Sequence, residues 1–193
     1  MKDKAVVDYF DVDSLLTDEE KAIREKVRGF VEKECMPVIS EHFDKGVFPA
    51  HLLPGMAEMG LFGVHVEGYG CRKRSHMVYG LISQELGRCD SGLRAMFSVQ
   101  NSLAMFPIYS FGSEEQRTKW LPAMANGEII GCFGLSEPDF GSNPQGMKTK
   151  AERTENGYLL NGTKMWITNG SIARVAVIWA KMDGEIRAES VLG

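Results

Sequence analysis

No C-x-x-C pair and no spaced cysteine–histidine set occurs in this 193-residue sequence. Its cysteines, Cys35, Cys71, Cys89 and Cys132, stand far apart. Neither a zinc site nor a disulfide framework is expected from them, and reduced thiols are. Cys132 lies inside an apolar run and reads as a small core residue. No apolar run approaches the roughly 18 residues of a membrane span. The first twelve residues carry Asp3, Asp8 and Asp11. They have neither the apolar centre of a secretory signal nor the arginines of a transit peptide. The expectation is a soluble, cytoplasmic protein. Basic charge is not in excess either, with 22 Lys and Arg against 26 Asp and Glu. A nucleic-acid footprint is therefore not expected. The one basic run, Arg72-Lys73-Arg74, reads as a solvated loop. Neither a G-x-G-x-x-G fingerprint nor a Walker loop is found, which removes the Rossmann and P-loop readings.

What is there suits a globular chain. Hydrophobic residues make up 44% and charged residues 25%, enough for a packed core. The length fits one ordinary domain or two small ones. The periodicity changes near residue 128. Before it the pattern is helical. Thr17-Asp18-Glu19-Glu20 forms a capping box, and Ile23, Val27, Phe30 and Val31 follow at helical spacing until Pro37 limits the helix. Residues 51–59 read as a short helix stopped by Gly60. Residues 63–71 read as a glycine-rich connection, and residues 77–86 as a further helix. Residues 93–111 read as a long apolar helix with a kink at Pro107, central in a bundle because its polarity is low. Ser113-Glu114-Glu115-Gln116 is a second capping box, and its helix ends at Asn126-Gly127.

After residue 128 the period moves toward two. Residues 128–135 read as a strand. Residues 148–153 and 158–161 flank Asn156-Gly157, a type I′ hairpin signal. Residues 163–168 and 174–182 read as strands, and Asp183-Gly184 turns the chain into Glu185-Ile186-Arg187. Residues 188–193 offer no cap, helix or closing strand. The expected class is α+β: an all-α domain over 1–128, then an incomplete antiparallel β domain over 129–193.

Two segments could carry chemistry. In residues 131–144 a strand runs into a loop dense in Gly, Ser, Asp and Pro, offering N–H groups and small hydroxyls to an acceptor-rich ligand. In residues 160–170, Trp166 stands beside the Thr168 hydroxyl and an Asn-Gly turn, an arrangement suited to a flat aromatic ligand. On these residues alone, an ordinary loop corner and a core tryptophan are the commoner explanations. Together the segments carry a specific resemblance. Ser136-Glu137-Pro138-Asp139-Phe140-Gly141-Ser142-Asn143 and Trp166-Ile167-Thr168-Asn169 resemble the two flavin-contacting stretches of the acyl-CoA dehydrogenase family, close to T-E-P-x-x-G-S-D and W-I-T-N at the same separation. The likeness extends back through Gly112-Ser113-Glu114-Glu115-Gln116-Arg117 and covers nearly the whole chain to about Arg187. Within the family, Asp90-Ser91-Gly92-Leu93-Arg94 with Ser98-Val99-Gln100 is similar to the glutaryl-CoA dehydrogenases. Ser136 replaces the usual threonine and keeps its hydroxyl. Asn143 replaces an aspartate, and Gly87 stands where the glutaryl group often has a glutamate.

The resemblance implies α,β-dehydrogenation of an acyl-CoA thioester, with FAD taking the β-hydride at N5 while a base removes the α-proton. Decarboxylation to crotonyl-CoA follows in the glutaryl group. Carried over by position, Phe133, Leu135, Ser136, Gly141 and Ser142 line the flavin and the CoA entrance. Ser136 meets the pyrimidine side and Ser142 the CoA moiety. Trp166 and Ile167 pack at the ring, and Thr168 bonds near N5. Arg94, with Ala95 and Ser98, faces the distal carboxylate of a glutaryl thioester; an arginine on an apolar helix calls for an anion, and its donor fork suits a carboxylate. The resemblance places the catalytic glutamate in a C-terminal helical domain that also buries the flavin and builds a homotetramer. No residue of this sequence matches that glutamate, and Glu137 and Glu67 read as loop residues rather than bases. Electron-transfer flavoprotein is the expected acceptor, and no metal is expected. The alternatives are a non-catalytic family remnant, a different acyl-chain specificity, or a superfamily relative with oxidase or monooxygenase chemistry. Arg94 and Ser98-Val99-Gln100 argue against the last.

Overall fold

Thr17 starts the first helix with a reciprocal cap. Its hydroxyl accepts from the Glu20 N–H at 3.3 Å, and the Glu20 carboxylate accepts from the Thr17 N–H at 3.0 Å. The computed structural model describes residues 9–182 and the backbone of residues 191 and 192. Asp3 and Asp8, the Asp183-Gly184 turn, the strand expected over 185–187 and residues 188–190 and 193 lie outside the described residues. From Thr17 the chain runs through α1 (Asp18–Phe30), a π-helical segment (Val31–Cys35) and α2 (Met36–Lys45). Pro37 does not end the helix as expected. The Met36 N–H reaches back five residues to the Val31 carbonyl. That wider turn lets a residue without an N–H enter the first turn of α2, where a missing donor is harmless.

The same device recurs in the helix expected over 93–111. It comprises α5 (Ser91–Ser98), a π-helical segment (Val99–Met105) and α6 (Phe106–Phe111). The Phe106 N–H bonds to the Asn101 carbonyl just ahead of Pro107. Between these two long helices, α3 (Leu53–Glu58) is stopped at Gly60 with φ 69°, and α4 (His76–Cys89) is capped by Ser75. After them α7 (Glu114–Ala125) opens on the expected Ser113/Gln116 capping box.

The core gathers on the α5–α6 helix, as its low polarity foretold. Met56, Phe62, Leu86, Phe97, Met105 and Met124 are fully buried around it. Two buried amides interrupt this apolar surface. The Asn101 oxygen accepts from the Gly63 N–H at 2.7 Å and the Val64 N–H at 3.1 Å, and its nitrogen donates to the Leu61 and Phe97 carbonyls. The Gln100 nitrogen donates to the Met124 and Ile129 carbonyls, and its oxygen accepts from the Gly131 N–H at 2.8 Å. Asn101 thus fixes the glycine-rich connection, and Gln100 joins the helices to the first strand. A third buried polar group, Glu85, accepts from Arg28 at 2.7 Å and from Arg88 at 3.2 Å.

Strands follow: β1 (Gly131–Gly134), β2 (Lys150–Thr154), β3 (Gly157–Asn161), β4 (Val175–Ile178), β5 (Ala180–Met182) and β6 (Val191–Leu192). The order of a helical unit followed by a small β region matches the expected class. The pairing is mixed rather than antiparallel throughout. β1 pairs with β4 in parallel, and β2 pairs with β5 in parallel. The β2–β3 hairpin and the β5–β6 pair run antiparallel. β6 also supplies an edge strand where the sequence offered none. The hairpin turn sits one residue earlier than expected. Thr154 pairs with Gly157, so Glu155 and Asn156 form the turn. Neither has a positive φ, which excludes type I′. Residues 163–168 are not a strand. The chain bends there through the left-handed Trp166 at φ 60°, and again just after it through Asn169 at φ 68°.

Cys35, Cys71, Cys89 and Cys132 are all free thiols. Burial pushes the Cys35 thiol up to about 12 and Cys71 up to about 11, so both stay protonated and poorly nucleophilic at neutral pH.

Asn101→Ala would leave the buried Gly63 and Val64 N–H groups without acceptors. We predict a loss of about 3 kcal/mol in urea unfolding. A change below about 0.5 kcal/mol would contradict this role for Asn101.

Candidate functional site

Backbone geometry brings the two loops singled out in the sequence together at the end of β1. Pro138 and Asp139 make a tight turn closed by reciprocal bonds between Glu137 and Phe140, at 3.0 and 3.1 Å, with proline at the position whose fixed φ suits it. The Ser136 carbonyl accepts from the Met165 N–H at 2.9 Å. The Lys164 ammonium donates to the Leu135 carbonyl at 3.0 Å. The Asn169 side chain donates to the Gly131 carbonyl at 3.0 Å. At Gly162 a Cβ would fall 2.6 Å from the Thr149 Cα, so only glycine lets the second loop pass this close to the chain entering β2.

Glu137 lies at the centre of this junction. It is only 5% exposed. It accepts from the Lys148 N–H at 2.6 Å, the Thr149 N–H at 2.9 Å, the Thr149 hydroxyl at 2.5 Å and the Lys164 ammonium at 2.9 Å. Burial by itself would raise this carboxyl. The donors from Lys148, Thr149 and Lys164 outweigh it and hold the group at about 2. A carboxylate so satisfied is a structural anion with no basicity near neutral pH. Its side chain was legible in the sequence only as part of a binding loop. Lys164 and Gln100 also had no role assigned to them. No spacing rule connects Glu137 with Lys164, because the contact depends on how two irregular loops cross.

The aromatic group stands apart from the core. Trp166 is 86% exposed and makes no ring contact among the described residues. The core-tryptophan explanation therefore fails. Its left-handed φ costs about 1–2 kcal/mol for a residue with a Cβ. Such a conformation persists where neighbours dictate it. Here Lys164 and Met165 are tied down before it, and the Asn169 carbonyl accepts from the Ile172 and Ala173 N–H groups after it. Ile167 is half-buried and Thr168 exposed on the same bend. On the facing loop, Phe133 is half-buried with its ring edge-on to Trp179 at 6.1 Å, Leu135 and Ser136 are half-buried, and Gly141 and Ser142 are exposed. Nothing lies within 4 Å of a Cβ built on Gly141. Among the described residues no hydrogen bond uses the Ser136, Ser142 or Thr168 hydroxyls. An unpacked indole on one loop, with unused hydroxyls at Thr168 beside it and at Ser136 and Ser142 on the other loop, is a donor set that fits a flat ligand with acceptors along its edge.

Arg94, Ala95 and Ser98 lie on α5, and among the described residues no hydrogen bond or ion pair joins them to the two loops. Their link to the loops is indirect, through Gln100 to Gly131. Arg94 is exposed, so it carries no cost of burial, and no carboxylate pairs with it among the described residues. Asp90, the nearest acid in sequence, is occupied in capping Leu93 at 2.8 Å. A Cβ on Gly87 would sit 3.6 Å from the Arg94 stem, which places position 87 against the arginine. Ser98 accepts from the Tyr79 hydroxyl at 3.0 Å, and Tyr79 stacks on Phe97.

Two measurements follow. Trp166→Gly removes the left-handed strain and loses almost no packing. Urea unfolding should show stability unchanged or raised by about 1 kcal/mol; a clear loss would mean the ring packs in the core. The Glu137 carboxyl sits below its ordinary 4.5, so its stabilisation is complete above about pH 4.5 and is lost as pH falls toward 2. The stability gap between the wild type and Glu137→Gln should narrow in that window by roughly 1.4 kcal/mol per pH unit. A gap independent of pH would show that the charge is not what stabilises.

Comparison with known proteins places this geometry. The family model described as acyl-CoA dehydrogenase, N-terminal domain, matches residues 17–128, and that described as acyl-CoA dehydrogenase, middle domain, matches residues 132–192. An acyl-CoA dehydrogenase of Bacillus subtilis is 37% identical over 168 residues, 86% of this chain and 44% of its own length. The mitochondrial short-chain specific acyl-CoA dehydrogenase of Rattus norvegicus is 34% identical over 169 residues, 87% of this chain and 41% of its own. The crystal structure of a glutaryl-CoA dehydrogenase from Mycobacterium smegmatis in complex with FADH2 superposes with a TM-score of 0.87 at 49% identity, covering 90% of this chain and 45% of that one. The chain thus spans less than half the length of each of these relatives. With one family model matching the helical unit and the other the strands and both loops, the chain belongs to the acyl-CoA dehydrogenase family.

Proposed function

We propose that the chain forms the substrate-facing and flavin-facing part of an FAD-dependent acyl-CoA dehydrogenase of the glutaryl-CoA type. The observation that carries the flavin reading is Trp166, held exposed in a left-handed bend with the Thr168 hydroxyl unused beside it and the Ser136 and Ser142 hydroxyls unused on the other loop. The solved glutaryl-CoA dehydrogenase relative holds FADH2, which supports the same reading. When bound, FAD would supply hydride acceptance from the acyl β-carbon. The chain's own residues would bind and orient. Trp166 and Ile167 would cover one part of the ring, and Ser136 and Thr168 would donate to its edge. Phe133 and Leu135 would supply apolar contact, and Gly141 and Ser142 would leave room for the CoA moiety.

The glutaryl preference rests on Arg94. It is exposed, has no carboxylate partner among the described residues, and has glycine rather than an acid at position 87 beside it. A guanidinium with its donors free suits a substrate carboxylate. Ser98, four residues on, shares its helix face, and Ala95 is its neighbour in the chain. The catalytic glutamate is proposed to come from a C-terminal helical domain outside this sequence. Glu137 is excluded as that base, because all its acceptor capacity is taken and its proton affinity is too low. Reoxidation by an electron-transfer flavoprotein and assembly as a homotetramer belong to the same proposal.

The test begins with the 193-residue chain incubated with FAD and freed of unbound cofactor. Retained flavin absorbance, with the emission of Trp166 quenched, is expected; a chain that retains none would overturn the flavin reading for this part. On the flavin-loaded chain, Arg94→Gln should weaken glutaryl-CoA by roughly tenfold to a hundredfold, the value of a lost charge-assisted bond. Butyryl-CoA should be unaffected. Equal losses for both thioesters would remove the glutaryl preference.

A further inference from the structure

We propose that Glu137 and Lys164 are positioning residues: together they clamp the Ser136 loop to the Trp166 bend and so set the face that the two loops present. The proposal rests on the flavin reading for what that face receives, but not for the clamp itself. The carboxylate is shared between the loops. One oxygen accepts from the Lys148 N–H. The other accepts from the Thr149 N–H, the Thr149 hydroxyl and the Lys164 ammonium. Lys164 in turn donates to the Leu135 carbonyl at 3.0 Å and lies 4.0 Å from the Met147 sulfur. Its side chain is 10% exposed and that of Glu137 4% exposed, so water cannot replace either partner readily.

Position along the chain explains why this pair governs the site. Glu137 immediately follows Ser136, and Lys164 lies two residues before Trp166. Between them, Met165 donates its N–H to the Ser136 carbonyl at 2.9 Å. Residues 135, 136 and 137 are thus each tied, directly or through one side chain, to residues 164 and 165. The strained Trp166 conformation begins at the next peptide. Lose the clamp and the Met165–Ser136 backbone bond is left to dictate the bend without side-chain support; the indole would then relax toward an ordinary φ. A glutamine at 137 would keep the size but turn an amide donor toward a set of four donors. A methionine at 164 would leave a buried carboxylate without its cation.

The experiment uses the 193-residue chain labelled with 5-fluorotryptophan. Its three fluorine resonances, from Trp120, Trp166 and Trp179, are assigned by single Trp→Phe variants. Without FAD, Glu137→Gln and Lys164→Met should each shift or broaden the Trp166 resonance and leave that of Trp120, in the helical unit, unchanged. The Trp120 signal reports whether a variant has folded. Thr149→Val, which removes one bond and no charge, gives a milder test should both variants unfold, with a smaller shift of the same resonance expected. Lys164→Arg should restore the Trp166 signal in part, since it restores the cation. With FAD, Glu137→Gln and Lys164→Met should raise the dissociation constant at least tenfold. An unmoved Trp166 resonance in folded Glu137→Gln and Lys164→Met would overturn the clamp, as would unmoved FAD affinity. A wild-type chain that takes no FAD would instead remove the flavin reading, and the fluorine spectra would still decide the clamp.

Discussion

A carboxylate taken out of water must find donors or give up its charge, and this constraint organises the β half of the molecule. Glu137 keeps its charge by accepting from two backbone N–H groups, a hydroxyl and an ammonium. Those donors come from different stretches of chain, so satisfying one anion fixes the relation of three loops. The alternative, a buried carboxylate left short of a partner, costs about 3–5 kcal/mol. That is comparable to a large part of a domain's net stability. The exposed, strained Trp166 bend is affordable because this junction holds the chain on one side of it.

The helical half uses the same physics with neutral groups. Asn101 and Gln100 are fully buried, and each amide is used on both its oxygen and its nitrogen. Both sit in the π-helical segment ahead of Pro107, where the widened turn accommodates a residue without an N–H. One of these amides holds the glycine-rich connection, and the other reaches the start of β1. The loop that follows β1 therefore hangs from the centre of the helical core through Gln100, while Arg94 and Ser98 lie on the preceding turns of the same helix. One helix thus carries the proposed carboxylate-binding face and anchors the strand that leads into the proposed flavin-binding loop.

Much of the helical half was legible in the sequence because its signals are local. The Thr17 and Ser113 capping boxes, the Gly60 stop and the apolar α5–α6 helix all depend on residues three or four apart. Pro37 misled because a π-helical turn, which leaves no periodic trace, absorbed it. The β half was legible only in outline. Asn156-Gly157 marked the hairpin but not its register, since a one-residue shift gives glycine the strand position and lets Glu155 and Asn156 turn with negative φ. The parallel pairings of β1 with β4 and β2 with β5 arise between residues far apart in sequence, and short apolar runs carry no direction. Residues 163–168 looked like a strand because Thr163, Trp166, Ile167 and Thr168 are strand formers; the tertiary contacts of Lys164 and Met165 with the facing loop overrode that preference. Of the site, the two loops and the residues proposed to meet a ligand were read from resemblance, whereas the anion beneath them needed the structure.

The central claim is that one buried anion makes the two loops a single unit. Native-state amide hydrogen exchange at Lys148, Thr149 and Met165 tests it most directly. The account predicts that these three amides are protected together, open with a common free energy, and are all released by Glu137→Gln. A Met165 amide that stays protected in Glu137→Gln while Lys148 and Thr149 are released would contradict it, because the second loop would then hold its place without the carboxylate.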